Sequence, residues 1–108
     1  MLNELKKIQE ECDKKSYFIK NKKYHQLKNI DILKHNCFHI NNAIAKISRI
    51  CEQEEHNKDL SHKRIINEVI PDLIIYAVQF ANIYKIDLDK IYKKRLDYVF
   101  HKYDAKKK

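Results

Sequence analysis

The stretch EVIPDLIIYAVQFANIYKIDLDKIYKKRLDYVFHKY, Glu68 to Tyr103, decides the fold of this chain. Its first half is a helix with apolar residues on nearly every side. Ile66, Val69, Ile70, Leu73, Ala77, Phe80, Ala81 and Tyr84 form one broad face, and Ile74, Ile75 and Val78 add apolar surface elsewhere. A helix of that kind is buried on several sides. In a chain of 108 residues this implies a partner subunit as well as intrachain neighbours. Pro71 removes one backbone donor inside the pattern, and because the period continues through it, a kink is expected rather than an end. The polar break Lys85-Ile86-Asp87 follows, with Asp87 capping a basic amphipathic helix. The inner face of that helix is Leu88, Ile91, Tyr92, Leu96, Val99 and Tyr103, and its outer face carries Lys90, Lys93, Lys94 and Lys102.

Working outward, the same periodic logic yields two more helices. Residues 2–18 place Leu5, Ile8 and Cys12 at helical spacing, with acids and lysines on the other faces. Residues 31–55, with Asp31 as the expected N-cap, repeat Leu33, Cys37, Ile40, Ile44, Ile47 and Cys51 in alternating steps of four and three, a heptad-like seam. A polar loop follows, and Asp59 or Ser61 is expected to cap the helix over 62–84. The expectation is one all-α domain over 1–108: a four-helix bundle, completed by dimerisation, with a core over 31–103 and a frayed basic tail at 104–108.

Composition narrows the function classes. The chain has no glycine and one proline, which disfavours tight hairpins, Rossmann turns and phosphate-cradling loops that rely on positive φ. Three cysteines without CxxC spacing suit reduced thiols, with Cys37 and Cys51 packing as small hydrophobes on the seam. No apolar run reaches the length of a membrane span, and the first residues lack the apolar core of a signal peptide. A cytoplasmic location is therefore the expectation. The formal net charge of +8 favours anionic partners in general. KNKKYHQLK over 20–28 mixes lysines with Tyr24 and His25 but lacks arginine clusters, so nucleic acid is a less favoured partner than nucleotide.

Chemistry-bearing residues concentrate on the two central helices. Carboxylates three or four residues apart on facing helices can hold Mg²⁺ through hard oxygen ligands. The second helix offers Glu52 and Glu55, and the third offers Glu68 and Asp72. The competing reading of Glu68 and Asp72 is a solvated stripe with Arg64, which contributes only a few tenths of a kcal/mol, roughly. His35 and His39 are one turn apart, as zinc ligands can be, but no third ligand has motif spacing. No Ser-His-Asp or Cys-His arrangement is supported.

These residues give the chain a resemblance to the MazG-like all-α nucleoside triphosphate pyrophosphohydrolases, whose helices carry EExxE and then, after a loop, ExxD. The resemblance covers roughly residues 36–103 and is strongest in DLIIYAVQFANIYKIDLDKIYKKRL, an Asp entering an apolar helix, an Ile-Asp-Leu corner and a basic helix. It implies a helical homodimer or higher oligomer that cleaves the α–β bond of a nucleotide with Mg²⁺, releasing monophosphate and pyrophosphate. By position, Glu52 and Asp72 match metal ligands, Arg95 and Lys102 match phosphate contacts, and Glu55 and Glu68 are adjacent substitutes. Ser48 and Arg49 stand where the first motif has paired glutamates, Val69 stands at the Glu of ExxD, and Val99 replaces an Asn. Three readings remain open on the residues alone. The fold is retained without activity, or the site is rebuilt with Glu55 and Glu68, or the likeness is only of one helical bundle to another. The alternative class is a basic helical module that binds nucleotide, RNA or protein.

Overall fold

A computed structural model describes residues 1–15, 29–56 and 62–106. It is all-α: α1 (Leu2–Lys15), α2 (Asn29–Glu55), a π-helical turn (Ile65–Val69) that runs directly into α3 (Ile70–Tyr84), and α4 (Leu88–Lys106). No strand occurs among the described residues. The expected end of the first helix at 16–18, the caps Asp59 and Ser61, and the segment 20–28 lie outside the described residues. Asp31 is not the N-cap of α2, because the helix starts at Asn29 and Asp31 falls in its first turn.

Pro71 explains the π turn. Its ring crowds the carbonyl four residues back and it has no N–H to offer. The chain responds by widening the turn just before it. Ile70 donates its N–H to Ile65 O, five residues back, and the helix then continues with Pro71 in its first turn. The break is absorbed without ending the helix, as the periodicity suggests.

The α3–α4 corner is a Schellman motif. Lys85 N–H bonds Asn82 O at 3.3 Å and Ile86 N–H bonds Ala81 O at 3.3 Å. Lys85 is left-handed, with φ 53° and ψ 41°, at the position where helices prefer glycine. A chain without glycine spends about 1 kcal/mol or more of strain there. Asp87 then caps α4, accepting from Lys90 N–H at 3.2 Å, in line with the sequence. Across this corner α3 and α4 bend by 114°.

The caps of α1 and α4 are exchanged. Asp89, in the first turn of α4, accepts from Leu2 N–H at 2.8 Å and Asn3 N–H at 3.2 Å. Asn3 in return accepts from Leu88 N–H at 2.8 Å and donates to Asp87 at 2.8 Å. Each helix thus satisfies orphan donors of the other. Hydrogen bonds from Leu2 and Asn3 hold the Asp89 carboxyl below its usual range, and the Asn3 side chain does the same for Asp87. Carboxyls depressed in the folded state contribute stability that is complete above the unfolded value, about pH 3.9, and lost as pH falls through the folded one. An Asp89→Asn variant should therefore melt lower at neutral pH and lose less on acidification than the parent. Parallel acid profiles in thermal melts would refute the cap exchange.

The buried core is small: Ala43, Ile50, Val69, Val78 and Ala81, with the polar Asn36 among them. It does not follow the seam expected on α2. Cys37, Ile44 and Cys51 are exposed, and the residues one position earlier, Asn36, Ala43 and Ile50, are buried. Ile40 and Ile47 flank both stripes at intermediate exposure, so the helix is rotated rather than mis-assigned. The small Ala43 side chain allows close approach of another helix, a fit that an Ile at position 44 denies.

On α3, Val78 is buried although the apolar pattern puts it off the main face, whereas Ile66, Ile70, Ala77 and Tyr84 are exposed. The cause is twofold. α3 is held between α1 and α2, and the extra residue of the π turn rotates Ile66 out of line with the residues after it. No single described helix is long and apolar enough to cross a membrane.

Candidate functional site

α2 and α3 pack against each other, and the groove between them contains a cavity of about 280 Å³. Its α2 wall is a polar stripe beside the buried one: His39, Asn42, Lys46 and Arg49, spaced three, four and three residues apart. Arg64, Asp72 and Tyr76 form the opposite wall. Ala43 and Ala45 complete the lining and keep it open, because neither side chain extends far into the space.

The electrostatics are cationic. Lys46, Arg49 and Arg64 face one lining carboxylate, Asp72. Glu68 sits beside Arg64 and Lys46. Arg64 Nε donates to Glu68 Oε2 at 2.9 Å, and Lys46 Nζ lies 3.7 Å from the same oxygen. The Arg64 hydrogen bond, with the charges of Arg64 and Lys46 behind it, holds the Glu68 carboxyl below its usual range. Even with Glu68 included, the groove keeps a positive surplus. Arg49 has no carboxylate partner among the described residues.

Aromatic groups close one end. The His39 ring stacks on Tyr76, with centroids 5.7 Å apart and planes 16° from parallel. His35 Nε2 lies 3.0 Å from His39 Nε2. Burial first, and the neighbouring His39 second, lower the His35 pKa. Burial and then the Asp72 charge raise that of Tyr76, so Asp72 and Tyr76 share one electrostatic environment.

The expected metal-ligand set is only partly brought together. Asp72 lines the groove and Glu68 sits by Lys46, but Glu52 and Glu55 are exposed side chains that do not line it. Arg49, at a position where the resembled motif has a glutamate, does line it. No group of three or more His, Cys, Asp and Glu residues able to hold a metal ion occurs among the described residues. A hard divalent cation needs several oxygen donors and neutralising charge. One lining carboxylate among three cations does not fit Mg²⁺.

Arg95 and Lys102 lie on α4, exposed and outside the groove. The Arg95 guanidinium sits over the Tyr98 ring, 5.0 Å from its centroid. Sequence reasoning passed over Lys46 and Tyr76 as parts of a site and weighed His39 only as a zinc ligand beside His35. The signal that would have found four of the groove residues together is the 39-42-46-49 periodicity, a polar stripe parallel to the apolar seam. With this geometry in hand, comparison with known proteins adds no relative: no family model, no curated protein and no solved structure matches the chain.

Proposed function

We propose that this chain is a MazG-like helical protein of the nucleotide pyrophosphohydrolase type whose hydrolytic machinery is degenerate, and that it recognises nucleotides as a homodimer. The observation that carries the reading is Asp72. The residue that matches the second family motif lines a groove against the helix that bears the first, and the positions around it now supply cations. Two motif helices face each other, as the family's chemistry requires, but the charge between them is inverted. Anion recognition survives that inversion, whereas assembly of a metal centre does not.

What remains uncovered supports the homodimer. Along α4, Leu96 is 49% exposed, Phe100 71% and Tyr103 61%. Ile70, Ile74 and Ile75 on α3 are likewise open. Apolar faces of this extent mark protein interaction surfaces. The radius of gyration of 17.5 Å exceeds the roughly 13 Å of a compact domain of about this length, and so open an arrangement leaves surface for a second copy to cover.

The test is a nucleotide panel read by thermal melting and by pyrophosphate release, each with and without Mg²⁺. A nucleotide at a hundred times its dissociation constant should stabilise the fold by about 2.7 kcal/mol, while release stays at the level of an Asp72→Asn variant. Mg²⁺-dependent turnover lost in that variant would replace degeneracy with an active enzyme. Stabilisation by RNA with no nucleotide response would favour the binding-module alternative, for which the lysines and exposed tyrosines of α4 are the natural surface.

A further inference from the structure

We propose that the α2–α3 groove binds the oligophosphate of a nucleotide directly through Lys46, Arg49 and Arg64, with these side chains standing in for a divalent cation, so that Mg²⁺ opposes binding. The proposal rests on the nucleotide reading above and gives it a ligand class and a mode of recognition.

The argument begins with charge. Adjacent phosphates carry several negative charges within a few ångströms and need equal positive density close by. Three cations from two helices converge on one cavity of about 280 Å³, a volume suited to a phosphate chain rather than a whole nucleotide. Guanidinium groups bind phosphate oxygens through paired N–H donors, and two of the three cations are arginines. Arg49 brings its donors uncommitted to any described carboxylate. Arg64 and Lys46 are held in place by Glu68. That carboxylate orients them, and an entering phosphate competes with it for the same donors.

Mg²⁺ enters with the wrong sign. It carries charge into a site that already has a cationic surplus, and it holds phosphate oxygens that the side chains would otherwise receive. Nucleotide complexed with Mg²⁺ therefore presents less charge to Lys46, Arg49 and Arg64 than free nucleotide does. The stacked His39–Tyr76 pair at the groove end offers an aromatic surface beside the phosphates.

Calorimetric titration of the full chain with ATP, and separately with inorganic tripolyphosphate, tests this. Each ligand is run in chelator and in excess Mg²⁺. Both anions should bind without metal, and Mg²⁺ should weaken them. Arg49→Glu should weaken binding by about tenfold or more, Arg49→Lys should retain most of it, and Asp72→Asn should tighten it. Arg49 is exposed, so these variants should keep the parent's helical circular dichroism. Binding that requires Mg²⁺, or an Arg49→Glu variant within twofold of the parent, overturns the proposal. Tripolyphosphate bound without metal while ATP is ignored would uphold the phosphate site and remove the nucleotide reading. ATP bound and cleaved only with Mg²⁺ would do the reverse.

Discussion

On the proposed homodimer, the parent chain is expected to sediment as a dimer and a Leu96→Asp, Phe100→Asp double variant as a monomer. Both side chains lie on α4 beyond the exchanged caps that tie its first turn to α1, and both are exposed to solvent. With Val99, Tyr103 and the two carboxylates Asp97 and Asp104 they line a shallow, mainly apolar depression on that helix. Burying a Leu or Phe fully is worth about 1.5–3 kcal/mol, so losing both removes about 3 kcal/mol or more from each protomer. The introduced carboxylates add a desolvation cost on top. The dissociation constant should rise by more than about a hundredfold. Light scattering across a dilution series is the measurement. A double variant with the parent's mass and midpoint would show that this face of α4 is not the interface. A matching Lys93→Asp, Lys94→Asp control on the outer face should leave the mass unchanged.

The second large effect concerns a polar chain inside the packing. Asn36, buried on α2, donates through Nδ2 to Gln79 Oε1 at 3.0 Å. Gln79 on α3 donates to Asp13 of α1 at 3.0 Å, and Gln9 donates to the same Asp13 oxygen at 2.8 Å. One amide therefore links three helices. Replacing Gln79 by Leu removes the acceptor for a buried N–H, and an orphaned group of this kind costs about 1–3 kcal/mol. The Asn36→Leu, Gln79→Leu pair removes donor and acceptor together and should recover much of that loss. Denaturant midpoints of the two single variants and the double variant report the coupling. Additive losses would mean that the 3.0 Å contact contributes no net stability.

This polar chain also shows where sequence reading stops. Asn36 interrupts no apolar period, because the seam through Leu33, Cys37, Ile40 and Ile44 is complete without it. Only the approach of Gln79, 43 residues later in the chain, makes it a buried position. The same holds for the groove. Arg49 is legible as a departure from a resembled motif, and Asp72 as its surviving acid. That the two line one cavity with Lys46 and Arg64 depends on how far α2 is rotated about its axis. A one-residue rotation exchanges Cys37, Ile44 and Cys51 for Asn36, Ala43 and Ile50, and it brings the 39-42-46-49 stripe beside α3.

The sequence by itself determined what is local. Absence of glycine, the 3.6-residue period, the acid after the Lys85-Ile86 break and a proline inside a continuing pattern are enough for α2, α3, α4, the Asp87 cap and a corner before α4. Each depends on residues within a turn or two of one another. Tertiary structure decided which face of each helix is covered and which charges meet. A helix apolar on nearly all sides, such as α3, has no face selected by its own pattern, so its neighbours choose one. The π turn before Pro71, which the apolar period does not announce, settles the side to which Glu68 points, and the approach of α2 gives it Lys46 as a partner.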